Sequence, residues 1–89
     1  MFKDIKNSFP VYTKNPKLVF LDTAASALKP ESVIKTINDC YAYEYSNIHR
    51  GLYSLSANLT KKYEEVRLKI SKFISAEGSE NIVFTKSAT

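Results

Sequence analysis

Leu59, Tyr63, Val66, Ile70, Phe73 and Ile74 recur at helical spacing and make the cleanest apolar stripe in the chain. Such a stripe has to face another apolar surface. Lys61, Lys62, Glu65, Arg67 and Lys69 decorate the other faces of the same segment. A second stripe runs through Val33, Ile34, Ile37, Cys40, Tyr41 and Tyr45. Pro30 precedes it where a first helical turn accepts proline, with Glu31 beside the positive helix end. The spacing predicts one helix from Pro30 to about Tyr45 and a second that Ser54 or Ser56 can cap. With 89 residues in all, little remains to cover both stripes. A chain this short buries only roughly 60–70% of its unfolded surface and is marginally self-sufficient.

The remaining segments are short. Phe2, Ile5 and Phe9 have roughly helical spacing, and Pro10 stops the run. Thr13 to Lys17 reads as a polar turn. Leu18-Val19-Phe20-Leu21 and Ile82-Val83-Phe84-Thr85 read as two short strands. Ser46 to Tyr53 breaks the helical pattern and holds Gly51, and Gly78 ends the second long helix and opens a turn. Lys86-Ser87-Ala88-Thr89 then begins a new segment. A strand followed by small and hydroxyl residues is how many α/β proteins enter a ligand-binding helix.

Composition removes several function classes. Hydrophobic residues at 44% and charged residues at 25% exclude a disordered chain. One cysteine forms no internal bridge. No apolar run approaches the roughly 20 residues of a membrane span, and no apolar leader follows Met1, so the cytoplasm is expected. The net charge of +4 is scattered, with no like-charge block longer than two, which fits a mixed-charge surface and not a nucleic-acid site. One Cys and one His make no metal site alone, and no carboxylate pairs with His49 at ligand spacing. Cys40 sits on the apolar stripe, as a packed hydrophobe and not a nucleophile. Gly51 and Gly78 are the only glycines, so there is no glycine-rich phosphate loop.

Two segments resist a purely structural reading. Leu21-Asp22-Thr23-Ala24-Ala25-Ser26-Ala27 is too rich in small residues for a core strand and too apolar for a surface loop. Close approach of backbone to a ligand and a tight packing corner both account for it. His49-Arg50-Gly51 joins an imidazole and a guanidinium on one loop. Such a loop can bind an anion, although an exposed basic loop is the plainer reading.

Taken together, Phe20-Leu21-Asp22-Thr23-Ala24-Ala25-Ser26-Ala27-Leu28-Lys29-Pro30, Asn47-Ile48-His49-Arg50-Gly51, Leu55-Ser56-Ala57 with the long helix, and Ile82 to Thr89 resemble, in order and spacing, the N-terminal portion of the sulfur-mobilising cysteine desulfurases. These are class V aminotransferase-like, fold-type I enzymes. The resemblance implies an α/β parent fold of which this chain is an incomplete, mainly helical piece. Residues 1–53 would contribute to the small domain, and 54–89 would start the large cofactor-binding domain. It implies pyridoxal 5'-phosphate as an electron sink, L-cysteine as substrate, L-alanine as product, and a persulfide passed to a sulfur-acceptor protein for iron–sulfur cluster assembly. It also implies a homodimer for the complete enzyme, with no nucleic acid and no membrane as partner.

Residue by residue, the resemblance carries over less. Ala24 and Ala25 match small residues of the substrate pocket, and His49 and Arg50 match a pair near the active-site mouth at the dimer interface. Thr89 matches the hydroxyl residue that contacts the cofactor phosphate, with Ala88 and Ser87 beside it. The family's Schiff-base lysine, ring-stacking histidine, pyridine-nitrogen acid and catalytic cysteine have no counterpart here, and Cys40 does not match that cysteine. The chain is therefore expected to be an N-terminal fragment or truncated product, inactive alone and not binding the cofactor by itself. The alternatives are a free-standing small helical module that binds a partner protein and, further off, a weak nucleic-acid binder.

Overall fold

Helices carry the chain in the computed structural model, which describes residues 2–49, 51 and 53–88. Among the described residues the α-helices are α1 (Phe2–Asn7), α2 (Val11–Lys14), α3 (Glu31–Asp39) and α4 (Ser54–Phe73). A π-helical turn, Cys40–Glu44, continues α3, and a 3₁₀ turn spans Ser79–Asn81. Two compact units result, Met1–Tyr43 and Glu44–Thr89.

In the first unit, proline sets the element boundaries. Pro10 ends the α1 segment and, held at φ −57°, becomes the N-cap of α2. Here the structure differs from the polar turn expected from Thr13: a single helical turn forms first. Asn15 closes it, because both its backbone N–H (3.1 Å) and its side-chain Nδ2 (2.9 Å) donate to the Val11 carbonyl. Lys6 Nζ lies 4.6 Å from the centre of the Tyr12 ring, a cation–π contact that ties α1 to α2. Pro30, extended at ψ 159°, caps α3 from outside. Its carbonyl accepts from the N–H groups of Val33 (3.1 Å) and Ile34 (3.2 Å). The first N–H of α3, on Glu31, donates to the Ser8 carbonyl at 2.7 Å, satisfying a group that helix ends otherwise leave open. Lys35 pairs with Asp39 one turn on, and that hydrogen bond raises the lysine pKa.

In the second unit, α4 occupies the segment expected of it but starts and stops differently. Its N-cap is Tyr53, with no side-chain cap hydrogen bond, so neither Ser54 nor Ser56 acts as the cap. Ser56 is buried, and its hydroxyl donates instead to the Asn47 carbonyl at 2.9 Å. The helix ends before Gly78 in a Schellman motif. Ala76 N–H donates to the Ser71 carbonyl (2.8 Å) and Ser75 N–H to the Lys72 carbonyl (3.3 Å). Ser75 takes the left-handed position, φ 58°. Gly78 is extended, so its lack of a side chain is not what turns the chain.

The two expected strands are corrected. Leu18–Leu21 and Ile82–Thr85 belong to no strand among the described residues. Ile82 has extended dihedrals, φ −105° and ψ 121°. A strand is completed by a hydrogen-bonded neighbour, and neither run has one among the described residues. Burial is correspondingly thin: Ile82 is the one buried apolar side chain among the described residues. Val33, Ile34 and Ile37 on α3 stay 39–52% exposed, and Phe73 at the end of α4 is 90% exposed. Both stripes that defined the helices remain largely uncovered.

A left-handed backbone costs a non-glycine residue about 1–2 kcal/mol, which glycine avoids. Ser75→Gly is therefore expected to stabilise the end of α4 by about 1 kcal/mol, read as a higher urea midpoint of the helical circular dichroism signal.

Candidate functional site

The side of α4 that works inside the chain is a polar one. Ser56, Thr60, Glu64, Arg67 and Ser71 follow each other at steps of four, four, three and four, which places them on one helix face. Asn47, His49 and Gly51 lie along the N-terminal part of this face. Ser56 Oγ donates to the Asn47 carbonyl, and Tyr53 Oη donates to Asn47 Oδ1 at 2.9 Å. His49 N–H donates to Thr60 Oγ1 at 2.9 Å, and the His49 ring Nε2 is hydrogen-bonded with Glu64 Oε1 at 2.8 Å. Further along, Arg67 holds the C-terminal segment. Its Nη1 donates to Glu64 Oε2 (2.8 Å), its Nε to the Ile82 carbonyl (3.1 Å) and its Nη2 to the Ser79 carbonyl (2.9 Å).

His49 sits at φ 66°, a left-handed conformation that surrounding contacts have to sustain. Its amide and ring are both bonded, and the ring stands edge-on to Tyr63, with centroids 5.6 Å apart. Tyr63 in turn meets Phe84 edge-on at 5.4 Å. Gly51 completes the approach of loop to helix. A Cβ built on it would overlap the Cβ and Oγ of Ser56 and come within 3.1 Å of the Tyr53 ring.

Charge follows the geometry. The hydrogen bond from His49 holds the Glu64 carboxyl below its ordinary pKa; partial desolvation opposes this, and the charge and hydrogen bond of Arg67 add to it. Glu64 is thus an ionised acceptor already engaged on both oxygens. It is suited to holding a neighbour in place and unsuited to collecting a proton. Arg67, 22% exposed along its side chain, finds an acceptor for each of its three bonded nitrogens, as a half-buried guanidinium requires.

The residues singled out in the sequence fall in different places. Ala24 and Ala25 are exposed, in a turn where the Asp22 carbonyl accepts from Ala25 N–H (3.1 Å) and Ser26 N–H (3.2 Å). A cleft of about 220 Å³ in the same unit is lined by Phe9, Tyr12, Phe20, Thr23, Ala27 and Leu28. His49 belongs to the network on α4. Ala88 is exposed, and Arg50 and Thr89 lie outside the described residues. Among the described residues no group of three metal-ligating side chains gathers. The sequence reading missed Thr60, Glu64 and Arg67. Their signal was the polar spacing on α4, masked by the charges around it. The carboxylate that meets His49 lies fifteen residues further along the chain.

The model of the class-V aminotransferase family matches residues 19–89 of this chain. The chain belongs to that family. Among class-V relatives it is 43% identical over 88 residues to the cysteine desulfurase SufS of Plasmodium falciparum, covering 99% of this chain and 16% of that protein. It is 42% identical over 88 residues to the cysteine desulfurase of Dickeya dadantii, covering 96% of this chain and 21% of that protein. Among solved structures it is similar to the apo cysteine desulfurase from Thermococcus onnurineus NA1, with a TM-score of 0.82 and 34% identity over 94% of this chain and 20% of that one. The chain thus spans about a fifth of the length of these class-V proteins.

The pH response of the network has a definite sign. Glu64 has a lowered pKa in the folded chain, so its contribution is fully present above the ordinary glutamate value and is lost as pH falls through the lowered one. The protection factor of the His49 amide is expected to fall as pH drops through that acidic window and to stay flat in Glu64→Gln. Gly51→Ala is expected to cost about 1–3 kcal/mol through overpacking against the Cβ and Oγ of Ser56. Gly78→Ala is expected to be tolerated, because an added Cβ there meets only the mobile carboxylate of Glu80. Urea denaturation of the pair compares the two.

Proposed function

We propose that this chain is the N-terminal portion of a pyridoxal phosphate-dependent cysteine desulfurase, an enzyme that converts L-cysteine to L-alanine and leaves a persulfide for iron–sulfur cluster assembly. The observation that carries the reading is its 40–43% identity, over nearly the whole chain, to proteins named as cysteine desulfurases and several times its length. The uncovered stripes of α3 and α4 support it, because apolar helix faces of this size call for a larger fold to pack against. On this reading residues 1–53 contribute to the small domain and 54–89 begin the large one, a division by parent domain and not by contacts within the chain.

Ala24, Ala25, His49 and Arg50 are assigned to the substrate site, and Ala88 and Thr89 to the cofactor phosphate. When bound, the cofactor supplies an electron sink for the amino acid's bonds. The described residues do not build a site for it by themselves. Ala88 has no side-chain donor, and no helix N-terminus among the described residues adjoins Ser87 or Ala88 to receive a phosphate. What this chain contributes is Asn47 and His49, held on α4 by Ser56, Thr60 and Glu64.

Two assays test the proposal. The purified 89-residue chain with added cofactor is expected to release no alanine from L-cysteine. A complete reading frame carrying this sequence, with a downstream lysine, histidine and late cysteine, is expected to release it. Alanine from the short chain, or none from the complete enzyme, overturns the reading. Recovery of a specific partner protein by an inactive complete product would support the helical-module alternative instead.

A further inference from the structure

A loop does not by itself hold a side chain at a fixed angle, yet His49 is pinned at both ends. Thr60 takes its amide and Glu64 its ring, each from the same face of a twenty-residue helix. Glu64 is in turn fixed by Arg67, and Arg67 is anchored on two main-chain carbonyls, those of Ser79 and Ile82. The chain of contacts therefore runs from the 3₁₀ turn and the Ile82 segment, through a guanidinium and a carboxylate, to one imidazole. An ionised carboxylate accepts and does not donate, so the ring nitrogen that faces it must carry hydrogen. The other nitrogen, Nδ1, is then the acceptor of the neutral ring.

We propose that Glu64 is a positioning residue for His49, fixing the imidazole with its hydrogen on Nε2 and Nδ1 as its acceptor, and holding His49 at the angle at which it serves the substrate site. The second half of this statement rests on the desulfurase reading; the first does not. Glu64 touches no reacting atom. It acts through His49, and Arg67 acts through Glu64.

In the complete enzyme labelled with ¹⁵N-histidine, with the His49 signals identified by their loss in His49→Gln, the neutral ring is expected as the Nε2–H tautomer with a protected His49 amide. Glu64→Ala is expected to give mixed tautomers and amide exchange about tenfold faster. Glu64→Gln, whose amide oxygen still accepts from Nε2–H, is expected to keep the wild-type pattern, as is Glu65→Gln on the exposed side of α4. In the complete enzyme, Glu64→Ala is expected to raise the KM for L-cysteine about tenfold with kcat within about threefold, and Glu64→Gln to restore it.

An unprotected His49 amide in the complete wild-type enzyme, or no change there in Glu64→Ala, overturns the positioning role. A wild-type KM in the Glu64→Ala enzyme overturns the link to substrate. If the network behaves as described but the complete wild-type enzyme yields no alanine, the desulfurase reading falls and the positioning of His49 stands.

Discussion

A carboxylate held between an imidazole and a guanidinium organises the second half of this chain. Glu64 takes His49 on one oxygen and Arg67 on the other, and each of those partners commands a separate stretch of backbone. Remove the carboxylate and two things are lost together. The left-handed His49 keeps its amide bond and its edge contact with Tyr63 but no hydrogen bond on the ring, and Arg67 retains its carbonyl partners without a counter-charge. Charge-assisted bonds are the stronger class of hydrogen bond. Here they carry work that a hydrophobic core would carry in a larger domain.

That substitution explains an inversion in α4. A helix in a small domain ordinarily turns its apolar stripe inward and its polar face to water. In α4 the face made by Ser56, Thr60, Glu64, Arg67 and Ser71 does the intramolecular bonding, and Ser56 and Ser71 are its most buried members. Val66, Phe73 and Ile74 from the apolar stripe stay 45–90% exposed. The helix is thus committed on both faces, and only the polar one is satisfied by this chain. In a protein that spans about a fifth of the length of its relatives, the unsatisfied face is where the remainder of a family fold would pack.

How much of this the sequence disclosed depends on the range of the interaction. The helices α3 and α4 were legible because periodicity is a local property, carried by neighbours three and four residues apart. The strands at Leu18 and Ile82 were not, because a strand is defined by a partner, and neither run has one among the described residues. The caps misled for a related reason. Serine ahead of a helix is usually a cap that accepts from a backbone N–H, but α4 already begins at Ser54, so Ser56 lies inside it and donates to the Asn47 carbonyl, and the turn that ends α4 fell on Ser75 and not on Gly78. Of the site, His49 stood out as an imidazole in a polar loop. Glu64 did not, since nothing in a linear reading ties a histidine to one particular acid among the charges of the next helix.

The same reasoning sets what can vary in a chain of this kind. Exposed apolar positions on α3 answer to whatever covers them and not to one another, so their size and shape are set from outside the chain. The positions on the polar face of α4 answer to each other. A hydroxyl at Thr60, a carboxylate at Glu64 and a forked donor at Arg67 form one geometric unit, because the carboxylate has two oxygens to share and the guanidinium has three separate acceptors to meet. Lysine in place of Arg67 would offer a single point charge and lose that fork. The loop that carries His49 is then only as fixed as the acid and the guanidinium behind it. In this chain, the precision of a histidine in a loop is set by an arginine on a helix.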